Sequence, residues 1–214
     1  MKALLSNSLV KGFTIAICLV AFSTSAYAQV LTTDTVCAVT QDKVYGITNS
    51  NPTSTYQWYI SPATGGTIDN SIVPNDSIIE IDWGVTAGTY RLYAIETSIN
   101  GCIGDSILLD VVVNPLPTAV AVSDSVCPGF SATLTVTLTG TAPWSIDYTD
   151  GSNNYNSVAN ASPHTISLPN YTASQTITVT GVTDNNTCAA DTSVLPAVNV
   201  HVYPSPTPGN IYHY

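Results

Sequence analysis

The chain has 214 residues, of which 44% are hydrophobic, with 4 Lys+Arg against 14 Asp+Glu and a formal net charge of -10. Gripping phosphates takes clustered Lys and Arg, so this balance excludes nucleic acid and anionic membrane surfaces as partners. Helix formers are scarce while Thr, Val, Ile, Ser and Tyr abound, which favours strands.

In chain order, Lys2 and Lys11 form a short basic region, Gly12 to Phe22 an apolar run, and Ser23 to Ala28 a small-residue stretch ending in Ala26-Tyr27-Ala28. That order predicts a secretory signal peptide over residues 1–28, cleaved after Ala28. The apolar run is too short for a bilayer, which takes about 20 residues. No Cys follows the small residues, so a lipid anchor is not expected. No later segment is apolar enough to cross, and no integral membrane segment is expected after cleavage. Cleavage leaves Lys43 and Arg91 as the remaining cationic side chains. An acidic, Thr- and Asn-rich surface suits a soluble protein that is exported to the outer cell surface or released, with the periplasm as a further location.

Strands are predicted at Tyr56 to Ile60, Ser77 to Trp83, Gly88 to Ile95 and Ile107 to Val113, separated by turns at Ala63 to Gly66, Thr86 to Gly88 and Ser98 to Gly101. Further along, Ala132 to Thr139 alternates with Leu134, Val136 and Leu138 on one side; Trp144 to Tyr148 follows, and Gln175 to Val182 turns Ile177 and Val179 inward. Short strands at this spacing, without helical periodicity, predict an all-β fold of antiparallel sandwiches.

Two segments echo each other. Asp34-Thr35-Val36-Cys37 matches Asp124-Ser125-Val126-Cys127, and Cys102-Ile103-Gly104-Asp105-Ser106 matches Cys188-Ala189-Ala190-Asp191-Thr192. Val111 to Thr118 and Val200 to Thr207 are both β-branched strands running into prolines. This is a tandem duplication, with sandwiches expected at residues 29–116 and 117–204 and a Pro-rich extended tail at 205–214. Four cysteines survive cleavage, and an even count in an exported chain predicts disulfides. Of three possible pairings the repeat selects Cys37–Cys102 and Cys127–Cys188, each worth about 3–4 kcal/mol by loop entropy.

The run Tyr56-Gln57-Trp58-Tyr59, with Asp82-Trp83-Gly84, Gly88-Thr89-Tyr90-Arg91-Leu92 and Gly101-Cys102-Ile103-Gly104-Asp105, resembles the PKD-like repeats of surface proteins from gliding, type IX-secreting bacteria. Cys127-Pro128-Gly129, Pro143-Trp144-Ser145-Ile146 and Tyr148-Thr149-Asp150-Gly151 are similar to the companion Ig-like repeat of those proteins. The resemblance implies two tandem sandwiches that act in adhesion or surface assembly, with an accessory role in gliding or type IX secretion. Leu92 stands where an antibody domain has its core cysteine, so a disulfide is expected at an edge or end. Only eight residues follow Pro206, too few for a type IX sorting domain.

No catalytic residues are expected. His164, His201 and His213 have no Ser or Asp partner in a recognisable motif, and Gly-x-Ser-x-Gly is absent. Asp147 to Gly151 and Asp184 to Asn186 gather oxygens but make turns, without EF-hand spacing, so neither a metal nor a cofactor is expected. One Trp plugging each core places Trp58 and Trp144 inside and leaves Trp83, at a strand end beside Gly84, exposed. Trp83 with Tyr59 and Tyr155 then forms the stacking surface of an alternative function, a small carbohydrate-binding module with an extracellular glycan as ligand. Thr35, Ser77, Ser106 and Ser125 lie in Asp-Ser/Thr-apolar patterns of the kind used for O-linked glycosylation. The tail, after Pro204-Ser205-Pro206-Thr207-Pro208, presents Ile211, Tyr212 and Tyr214 for docking as an added strand on an outer-membrane or surface protein partner.

Overall fold

A computed structural model describes residues 33–48 and 50–213. The predicted signal peptide lies outside them. The described residues form two tandem all-β sandwiches of mainly antiparallel sheets.

The first is built from β1 (Thr33–Cys37), β2 (Lys43–Gly46), β3 (Thr55–Ser61), β4 (Gly66–Ser71), β5 (Ile78–Trp83), β6 (Gly88–Thr97) and β7 (Ile103–Asn114). One sheet runs β1-β7-β6-β3 and the other β2-β5-β4. The second comprises β8 (Ala119–Ser123), β9 (Ser125–Val126), β10 (Ser131–Leu138), β11 (Trp144–Thr149), β12 (Asn154–Ala159), β13 (His164–Asn170), β14 (Gln175–Thr183) and β15 (Ala197–Val202). Its sheets run β13-β10-β8 and β12-β11-β14-β15-β9. Pairing is antiparallel except for two short N-terminal strands that lie parallel to the last strand of their sandwich, β1 on β7 and β9, just after β8, on β15.

Period-two alternation places the cores. On β10, Ala132, Leu134, Val136 and Leu138 turn inward, opposite Ile146, Ile177, Val179 and Val200. On β14 the inward series Ile177, Val179 changes phase to Val182. Asp147 pairs with Gly181 and Tyr148 with Val179, so Thr180 is the extra residue of a bulge that resets the alternation.

Tryptophan placement differs from expectation. Trp83 is only 1% exposed and continues the inward series Ile79, Ile81, Trp83 on β5. Its indole meets Tyr45 edge-on and Tyr90 at a tilt. Its Nε1 donates to Tyr45 Oη at 3.2 Å, and Tyr45 in turn donates to Asp34 Oδ2 at 3.0 Å. Burial, then the neighbouring Asp34 carboxylate, pushes the Tyr45 hydroxyl well above its usual range. A Cβ on Gly65 would lie 2.3 Å from the Tyr90 ring, so only glycine leaves that ring its seat. Trp58 is half-buried beside this core, its Nε1 donating to the Asp76 carbonyl at 2.7 Å, and Trp144 is buried as expected.

Trp83→Ala should cost about 3–5 kcal/mol, read as a lower urea midpoint with unchanged slope.

Candidate functional site

The cysteines define the most specific chemistry. Cys37 and Cys188 form a disulfide with Cα atoms 5.5 Å apart and a sequence separation of 151. Cys102 and Cys127 are free and exposed. This corrects the expected pairing within each sandwich. Cys37 lies opposite Asn114 at the far end of β7, whereas Cys102 precedes Ile103 at its start. The full strand separates them by roughly 40 Å, against less than about 7 Å for a disulfide. Likewise, Cys127 follows Val126, opposite Val202, while Cys188 lies beyond Thr183 at the other end of β14, about 30 Å away.

The bridge therefore crosses between the sandwiches. Beside it runs the linker Pro115-Leu116-Pro117-Thr118, held as firmly as a strand. Leu116 packs on the first core, Pro117 is fully buried, and Thr118 exchanges backbone and side-chain hydrogen bonds with Thr139. Gly140, at φ +99°, lets Pro117 approach; a Cβ there would sit 3.1 Å from the proline and from Asp184 Oδ2. Val39, Val85 and Leu116 face Thr187, Ala189 and Asp191 across an open cleft beside the bridge.

Asp184 positions Cys188. Buried at 5% exposure, its carboxylate accepts the backbone N–H groups of Thr141 (3.1 Å), Asn186 (2.9 Å) and Cys188 (3.1 Å). Asp150, in the other acidic turn, accepts from the Ser152 and Asn153 backbone and from Tyr155 Oη at 2.9 Å. The Asn153 and Ser152 N–H groups hold its carboxyl below the usual range, and burial with the nearby carboxylate pushes the Tyr171 hydroxyl up to about 12. Both carboxylates thus spend their oxygens on hydrogen bonds within the chain. Among the described residues no group of three or more His, Cys, Asp or Glu could hold a metal ion.

The glycan surface is not assembled. Trp83 is core, Tyr59 stacks on Tyr93 at 5.0 Å in the first sandwich, and Tyr155 stacks on Tyr148 at 5.2 Å in the second. Of the glycosylation candidates, Thr35, Ser106 and Ser125 are exposed. Ser77 is corrected: it is 5% exposed, with its Oγ donating to Asn75 Oδ1 at 2.9 Å, because Asn75 folds the turn back over it. Residues 203–213 form no strand, Ile211 and Tyr212 are exposed, and Tyr214 lies outside the described residues. His164 meets Ser157 Oγ at 3.0 Å across a hairpin, a contact the sequence did not suggest, and no carboxylate meets its ring among the described residues. Lys43 pairs with Asp34 at 3.6 Å and Arg91 holds Asp110 through Nε at 2.8 Å, so both described cations are matched. Among the described residues no helix is long and apolar enough to cross a membrane.

No protein-family model matches the chain, and no characterised protein matches it. Among solved structures it is similar to the Clostridium thermocellum CbhA fibronectin(III)-like modules, at 16% identity and TM-score 0.42, covering 87% of this chain and 98% of that one. It is also similar to the D00-D0 domain of intimin, at 14% identity and TM-score 0.41, covering 78% and 94%. The titin I-band fragment I67-I69 matches at 13% and 0.40, covering 80% of this chain and 62% of the fragment. Likenesses at this level carry no activity and no partner across.

Non-reducing peptide mapping of the monomer should link Cys37 to Cys188 and leave Cys102 and Cys127 open to alkylation. By loop entropy the bridge is worth about 5 kcal/mol, so a reductant should lower the melting temperature of the wild type and leave that of Cys37→Ser unchanged. Asp150 stabilises the fold above the ordinary carboxylate pKa of about 4 and loses that contribution as pH falls through its lower folded value. Asp150→Asn should therefore flatten the acid limb of melting temperature against pH.

Proposed function

We propose that the chain is a non-enzymatic cell-surface component serving adhesion or surface assembly, built from sandwiches at residues 29–116 and 117–204. The observation that supports this is the Cys37–Cys188 bridge. A disulfide between sandwiches adds nothing to either core. It fixes one against the other, which is useful where a protein must hold its reach and present its ends. Such a bond persists in an oxidising compartment and fits an exported protein. The likeness to repeats of gliding, type IX-secreting bacteria makes that machinery the setting, and an outer-membrane or surface protein the partner. The exposed tail, with Ile211 and Tyr212, is the segment offered to that partner as an added strand. The burial of Trp83 removes the residue on which a carbohydrate-binding function depended.

Fractionation of the producing cells should find the protein in the outer-membrane and medium fractions, open to an added broad-specificity protease on intact cells. Deleting Gly209 to Tyr214 should leave the melting temperature unchanged and shift the protein from cells to medium; unchanged retention removes the tail's role. Recovery from the cytoplasm alone rejects the proposed function.

A further inference from the structure

The two free cysteines are built like the two bonded ones. Cys37 ends, and Cys127 directly follows, a short N-terminal strand that lies parallel to the sandwich's last strand. After each, the backbone N–H three residues on returns to the cysteine carbonyl, from Thr40 at 3.3 Å and Phe130 at 3.2 Å. Two residues on, the backbone enters positive φ, at Val39 (57°) and Gly129 (82°). Cys102 and Cys188 match as closely. Four residues earlier, Ser98 and Asp184 each donate a backbone N–H to the cysteine carbonyl, at 2.9 and 3.0 Å, and accept the cysteine N–H on a side-chain oxygen, at 3.1 Å in both. Gly101 (79°) and Thr187 (63°) supply the positive φ just before each cysteine. The bridge thus joins an opening cysteine of one sandwich to a hairpin cysteine of the next. One of each kind is left over, each at the end of its sandwich remote from the bridge.

We propose that Cys127 of one copy bonds Cys102 of a second copy, repeating the internal junction between molecules and linking copies head to tail. The occupant of each site is set by the other: a hairpin cysteine already receives an opening cysteine once in this chain. Pairing Cys102 with Cys102 would instead set Glu96 and Asp105, on the strands flanking that hairpin, against the same residues of a second copy. Exposed Ile99 and Ile103 (75% each) flank Cys102, and Phe130 (66%) flanks Cys127, giving each end apolar surface to bury. The tail Pro204-Ser205-Pro206-Thr207 repeats the Pro-x-Pro-Thr of the linker that accompanies the internal bridge. Because the two surfaces differ, the contact is heterologous and extends into a filament unless it closes into a ring.

A disulfide oxidant such as oxidised glutathione supplies the balance. The Cys102 thiolate attacks it, forming a mixed disulfide and releasing one glutathione thiolate. The Cys127 thiolate of the next copy then attacks the Cys102 sulfur and releases the second. Two protein thiols lose two protons and two electrons, and one glutathione disulfide becomes two thiols.

This inference rests on the proposed function only for the oxidising surroundings, and its test supplies those directly. Purified Cys102→Ser and Cys127→Ser, each with the Cys37–Cys188 bridge intact, are incubated with oxidised glutathione alone and as an equimolar mixture, then quenched with maleimide and run without reductant. Each alone should stay monomeric; the mixture should give dimer and nothing larger, and wild type a ladder that a reductant collapses. A monomer-only mixture, a dimer yield from either variant alone equal to the mixture's, or a wild-type monomer with no thiol left for maleimide overturns the proposal. Failure here leaves the surface reading standing, since cell fractionation alone decides that.

Discussion

The disulfide between Cys37 and Cys188 is the constraint on which the relation of the two sandwiches depends. Two cores that share a short linker would ordinarily be free to hinge. Here the chain crosses once through buried Pro117 and a second time through sulfur, and two tethers leave far fewer relative orientations than one. The bond is possible because β1 runs parallel to β7. β1 follows β7 to its end and delivers Cys37 to the place where the second sandwich begins.

The acidic turns complete that arrangement from the other side. Asp184 gathers three backbone N–H groups and so fixes the loop that carries Cys188, and it reaches the Thr141 segment against which the linker packs. An Asp-rich turn thus organises a covalent junction. The corresponding hairpin in the first sandwich uses Ser98 for the same purpose, its Oγ accepting the Cys102 N–H alone.

Much of this was legible in the sequence. The alternation of residues 132–139 and 175–182 located two inner strands, and the repeat showed which cysteines are equivalent. Equivalence does not say which equivalents meet. That depends on the direction of the short strands β1 and β9, and a five-residue and a two-residue strand carry no periodicity to read. β12, with Asn154, Asn156 and Ser157 among its six residues, was missed because its apolar positions are too few to alternate. Trp83 was misplaced by weighing its neighbour Gly84 above the series Ile79, Ile81, Trp83, which held the correct answer. The half-buried Trp58 could not have been told from a core plug by sequence alone.

The pairing of Arg91 with Asp110 across β6 and β7, and of Lys43 with Asp34, has a consequence for survival outside a cell. Between residues 33 and 213 these are the two bonds a trypsin-like protease would recognise, and both lie within hydrogen-bonded strands. Such an enzyme needs an extended, unpaired stretch to enter its cleft. Degradation by this route has to wait for the first sandwich to open, and the second offers that enzyme no cleavage point at all.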